Sequence, residues 1–196
     1  MAKLYGIEVK NIRSHIGRDG YATYCNIYMD GKMVGFYDDA GDGGEAAIEF
    51  EKKEDGQEFY RRRVNYFTKH RPTVKGAPVK TVETAGKYAP DGVTSCKDID
   101  ASVSTDDDAF VFLLMRLKDF EKGLKKHKTQ YVADVCIEDC NGHAMCNYSV
   151  FVDEKKLSED IKDLLMSKVR GAKSVSVMYY SMADLNVVDS ERRKAQ

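Results

Sequence analysis

The chain has 196 residues, a formal net charge of −1, 32% charged residues and 42% hydrophobic ones. That is long enough to bury a core in one domain or two small ones, and the composition is ordinary for a water-soluble globular chain. The balanced charge excludes a wholly basic nucleic-acid protein and a highly acidic DNA mimic.

Leu4 to Ile12 alternates, with Tyr5, Ile7 and Val9 on one side and Glu8 and Lys10 on the other, and reads as a first strand. Ser14 to Gly20 reads as a turn. Tyr21 to Tyr37 then reads as a β-hairpin closed at Asp30-Gly31, because a two-residue type I′ turn needs positive φ at both central positions. That turn sets Met29 opposite Lys32, Tyr28 opposite Met33, Ile27 opposite Val34 and Cys25 opposite Phe36. Period two puts Cys25, Ile27, Val34 and Phe36 on a core face, and Tyr24, Tyr28, Met33 and Tyr37 on the other. The second face is either covered by a helix or offered as a tyrosine surface to a partner. The loop Asp38 to Gly44 carries three carboxylates among glycines, without the spacing of a calcium loop, so it reads as a solvated turn. A short strand at Ala46 to Glu51 completes an antiparallel meander.

The run from Ile27 to Gly44, with Tyr28-x-Asp30-Gly31-Lys32-x-Val34-Gly35 and then Gly41-x-Gly43-Gly44, resembles the opening of small, functionally uncharacterised proteins of phages and other bacterial mobile elements. Some proteins of that kind act against host defence systems, anti-CRISPR inhibitors among them. The resemblance stops near Phe50, and no functional residue carries over with it.

Asp55-Gly56 reads as a break, followed by a helix from about Gln57 to His70 with Phe59, Tyr60, Val64 and Phe67 on one stripe. No acid occurs from Phe59 through Val82, while Arg61, Arg62, Arg63, Lys69, Arg71, Lys75 and Lys80 are basic. Asp38 to Glu58 is the reverse, with nine acids against Lys52 and Lys53. The basic run, interleaved with Tyr60, Tyr66 and Phe67, suits phosphates and bases; alternatively it is a helix face whose arginines pair with the acids upstream. Residues 72–104 hold Pro72, Pro78 and Pro90 and read as a linker or long functional loop.

Thr105 is positioned to cap a helix, with Asp108 three residues on and Phe110, Leu113, Leu114, Leu117, Phe120 and Leu124 at helical spacing. Tyr131 to Val152 reads as a second hairpin around Asn141-Gly142. Ala133, Val135, Ile137, Cys146, Tyr148 and Val150 share one face; Asp134, Cys136, Glu138, Cys140, His143, Asn147 and Ser149 share the other. A helix from Lys156 to Arg170 ended by Gly171 and a strand from Lys173 to Ser181 follow, and residues 189–196 are a polar tail. The fold class is α+β: a β-meander with a helix over residues 1–71, then an αββαβ half over 105–188, as one or two small sheets covered by helices.

Cys136-x3-Cys140-x2-His143-x2-Cys146 has the residue types of a zinc site. The hairpin register opposes it, since Cys146 faces away from the other three. Cys136 and Cys140 also stand about 13 Å apart along one strand, at ~3.3 Å per residue, where zinc would bring sulfurs within about 4 Å. Cys140 facing His143 lacks an orienting third group or an oxyanion hole. His15, His70 and His127 read as surface residues. The sequence thus offers no catalytic residue, metal site or cofactor.

Met1 to Lys10 lacks an apolar signal core, and the longest apolar run, Ala109 to Met115, is too short to span a bilayer. With five cysteines and no export signal, reduced thiols in a cytoplasm are expected, and no membrane partner. The reading that gathers these features is a non-enzymatic protein that binds a macromolecule through Tyr24, Tyr28, Tyr37, Arg61, Arg62, Arg63, Lys69, Arg71 and Lys75. The resemblance makes that partner a host protein or nucleoprotein complex, such as an RNA-guided nuclease. The alternatives are direct nucleic-acid binding and a metal-dependent nuclease or hydrolase using Asp38, Asp39 and Asp42.

Overall fold

The computed structural model describes residues 1–18, 20–44, 46–70, 73–74, 77–78, 107–140 and 144–187. In chain order the elements are β1 (Lys3–Leu4), β2 (Ile7–Ile16), β3 (Tyr21–Met29), β4 (Lys32–Asp39), β5 (Ala47–Phe50), α1 (Lys53–Lys69), β6 (Thr73–Val74), β7 (Ala77–Pro78), α2 (Asp107–His127), β8 (Tyr131–Glu138), β9 (Ala144–Val152), α3 (Glu159–Ser167), β10 (Ser174–Ser181) and β11 (Asn186–Val187). The architecture is α+β, with sheets in the orders β11-β1-β2-β3-β4-β5, β10-β8-β9 and β6-β7. Two compact units divide the chain, Ala2–Arg116 with the segment from Val187, and Leu117–Asn186 with Met1; the division falls inside α2. Among the described residues no helix is long and apolar enough to cross a membrane.

In the first unit the meander begins one hairpin earlier than the alternation suggests. Tyr5 and Gly6 both take positive φ (50° and 78°), so the expected single strand folds back as β1 and β2, with Leu4 opposite Ile7. Asp30 and Gly31 make the expected reversal, with φ of 51° and 87°. β2 continues to Ile16, so Ser14 and His15 lie in a strand and not in the expected turn. Asp55 and Gly56 do not break the chain, since α1 starts at Lys53 and places both in its first turn.

Helices pack on one face of this sheet. Ile7, Val9, Cys25, Ile27, Val34 and Tyr37 are buried there, together with Phe59, Phe67 and Phe110 from the helices. Phe59 lies 5.2 Å from Phe50 and 5.7 Å from Phe110, and Tyr66 lies 5.6 Å from Phe110. Tilted and edge-on rings at such spacing add to the area that each aromatic buries. Burial pushes the Cys25 thiol up to about 12, far above its ordinary value.

The second unit is the expected αββαβ run. β8 pairs with β9 so that Ile137 faces Cys146, Cys136 faces Asn147 and Val135 faces Tyr148. From Tyr131 to Ile137 that is the register expected of a turn at Asn141-Gly142, but next to the loop the pairing shifts and Glu138 faces Ala144; the expected turn and His143 lie outside the described residues. α3, capped by the Ser158 hydroxyl accepting from the Ile161 amide, packs Leu165 with Leu157 over Ala133, Val135 and Ile137. On the opposite face, the second half of α2 sets Phe120 5.2 Å from Tyr180 and stacks His127 on Phe151 at 4.6 Å. Cys136 and Cys146 thus occupy opposite faces.

Candidate binding face

The face of the six-stranded sheet that none of the described helices packs on is built by two bulges. β2 and β3 pair as Glu8 to Tyr28 and Lys10 to Asn26, and then the register shifts so that Arg13 faces Tyr24 and His15 faces Ala22. Asn11, at φ 55°, lies in the shifted segment, in the left-handed region that asparagine tolerates. A second shift occurs in β4: Tyr28 faces Met33, but Ile27 faces Gly35, Asn26 faces Phe36 and Tyr24 faces Asp38.

Each extra residue turns the rest of its strand over. Tyr24, Tyr28, Phe36 and Asp38 therefore share a face with Lys10, Arg13 and His15. Tyr24 stacks on Phe36 at 5.9 Å with 25° between the ring planes, and the Lys10 ammonium lies 4.3 Å from the centre of the Tyr28 ring. Tyr24, Tyr28 and Phe36 are half-buried, whereas Arg13, His15 and Asp38 are exposed. Beside Tyr24 an open cleft of about 550 Å³ is lined by Arg13, His15, Thr23, Tyr24, Asp38 and Asp39.

The second bulge corrects the expected tyrosine surface. Tyr37 is fully buried on the core face, opposite Cys25, and Phe36 takes the place expected for it. Expectation fails because the turn at Asp30-Gly31 dictates register only as far as Tyr28. Gly35 is the one local signal: a Cβ there would run into the Glu49 carbonyl oxygen of β5.

The basic helix is corrected as well. Arg62 is 4% exposed and makes a lock inside the first unit. Its guanidinium donates to Glu58 at 2.8 Å, to Asp30 at 2.7 Å and to the Tyr5 carbonyl at 3.1 Å. The Asp30 amide donates to the Gly6 carbonyl at 2.9 Å, so one arginine holds both two-residue turns against α1. Arg63 is buried, pairs with Asp107 at 2.8 Å and lies over Tyr60 at 5.0 Å. Arg61 is half exposed but grips the Glu58 carboxylate with two hydrogen bonds of 2.8 Å. Those bonds, the Arg61 pair foremost, hold the Glu58 carboxyl down to about 2 against the cost of its partial burial. Lys69 lies 5.9 Å from the centre of the Tyr5 ring. Tyr60 and Phe67 are buried and Tyr66 packs on Phe110, so these rings belong to the core. Arg71 and Lys75 lie outside the described residues.

In the acidic loop, Asp39 accepts from the Gly41 amide at 2.9 Å and Asp42 from the Gly44 amide at 3.0 Å, as in Asx turns. Among the described residues no three of His, Cys, Asp and Glu are grouped to hold a metal ion. No protein family, curated protein or solved structure matches the chain.

Proposed function

We propose that the chain is a non-enzymatic binding protein that docks on a protein partner through the Tyr24–Phe36 face of its six-stranded sheet. The observation that carries this is the half-exposed aromatic stack beside an open cleft, flanked by charges of both signs. Tyrosine and arginine around a flat aromatic patch are the side chains that dominate binding energy at protein interfaces. A nucleic-acid surface needs an excess of cations, and this face balances Lys3, Lys10 and Arg13 against Glu8, Asp38 and Glu49. The helix arginines add little, because Arg61, Arg62 and Arg63 are engaged by carboxylates of the same unit. The resemblance of Ile27 to Gly44 to mobile-element proteins directs the search to host defence complexes, including nucleoprotein effectors of the RNA-guided nuclease kind.

The test is capture from bacterial lysate on the immobilised protein, with and without nuclease treatment. One dominant protein partner should survive the nuclease. It should be lost from a folded Tyr24→Ala/Phe36→Ala variant, since removing two interface anchors costs about 2 kcal/mol or more, roughly thirtyfold in affinity. Capture that the double variant leaves intact, or no partner at all, would refute the reading.

A further inference from the structure

We infer that the row Arg13–Tyr24–Asp38 sorts charge on an extended peptide segment of the partner, which carries an acidic side chain toward Arg13 and a basic side chain toward Asp38. This rests on the reading of the face as a protein-binding surface and specifies its ligand. The two bulges bring these three residues into register across β2, β3 and β4. Arg13 and Asp38 lie two strand spacings apart, about 10 Å between backbones, on either side of Tyr24, and do not pair with one another. Arg13, His15 and Asp38 form no ion pair or hydrogen bond with other described side chains. The row therefore exposes a cation and an anion on either side of an aromatic ring.

A peptide meets this pattern with ordinary geometry. At ~3.3 Å per residue, side chains on the same side of an extended segment are about 7 Å apart at two residues and 13 Å at four, which brackets the gap. At the four-residue spacing the side chain midway between the charges points to the same side and lies on the Tyr24–Phe36 stack, and His15 adds a second donor beside Arg13. A cleft of about 550 Å³ is within the range of natural ligand clefts. Asp38 and Asp39 on its wall repel phosphate, so the charge pattern selects peptide over nucleic acid. Paired opposite charges at such a face supply specificity more than raw affinity.

The experiment is selection of random dodecapeptides by display on the full chain, followed by fluorescence polarisation with the enriched sequences as synthetic peptides. Enriched peptides should carry an acid and a base two or four residues apart. Arg13→Glu should weaken the best of them at least about tenfold and, in a fresh selection, exchange the acid for a base. Asp38→Lys should exchange the base for an acid. Failure to enrich any peptide, or enriched charges that do not follow the two variants, would overturn the inference. In the lysate capture, a partner lost with Tyr24→Ala/Phe36→Ala but kept by Arg13→Glu and Asp38→Lys would overturn the charge sorting alone. A partner kept by all of them would overturn the binding face as well.

Discussion

Arg61, Arg62 and Arg63 are consecutive and chemically identical, yet each has a different task. Successive helix positions are 100° apart, so Arg61 faces water, Arg62 faces the two turns and Arg63 faces the first turn of α2. Arg62 forms hydrogen bonds with three groups at once, two of them from other strands or turns. Its fork geometry permits this, and a lysine ammonium at the end of a flexible stem does not reproduce it. Arg62→Ala should therefore cost about 2 kcal/mol. That is below the range for removing one partner of a fully buried ion pair, because Asp30 and Glu58 keep 53% and 30% exposure. Arg61→Ala, at an exposed pair, should cost no more than about 0.5 kcal/mol. Urea midpoints of the two variants decide the matter, and equal losses would contradict the lock.

Among the elements, β2 and β4 carry the design of the binding face, because each inserts one residue into its pairing with β3. A bulge redirects every later side chain without altering the strand's composition. Gly35, next to the second bulge, is the residue that the pairing with β5 requires, since β5 passes so close that a Cβ would meet the Glu49 carbonyl and approach the Phe50 ring. Gly35→Ala is expected to destabilise by about 1–3 kcal/mol, the usual cost of forcing a group into filled space. It should also blunt capture by disturbing Phe36. Gly20, where an added Cβ meets nothing within 4 Å, serves as control, and Gly20→Ala should lie within about 0.5 kcal/mol of the parent. Thermal melts of both variants with partner capture measure the two effects; a neutral Gly35→Ala would remove the close approach from the account.

For the molecule as a whole, stability should follow pH through Glu58. Its carboxyl sits near 2 in the folded chain against an ordinary 4.5. A carboxyl whose folded pKa is depressed contributes stability that is complete above the unfolded value and is lost as pH falls through the folded one. Urea midpoints should therefore decline between pH 4.5 and about 2, and Glu58→Gln should lower stability at pH 7 while flattening that decline. An unchanged slope would show that other carboxyls govern the acid limb. The parts of this protein that were legible in its residues are those with local causes. Alternation and helical spacing marked β3, β4, β8, β9 and the three helices, and Asp30-Gly31 placed a reversal because few other pairs accept positive φ twice. Tyr5-Gly6 makes the same kind of turn without so distinctive a pair, and β11 has only two residues, so neither has a local signature. What tertiary structure alone decided was the face of Phe36 and Tyr37 beyond the β4 bulge, the company that Arg13 and His15 keep beyond the β2 bulge, and the burial of Arg62 and Arg63. A bulge costs one residue that alternation cannot count. Whether a charge meets water or a carboxylate depends on chain that is distant in sequence and adjacent only after folding.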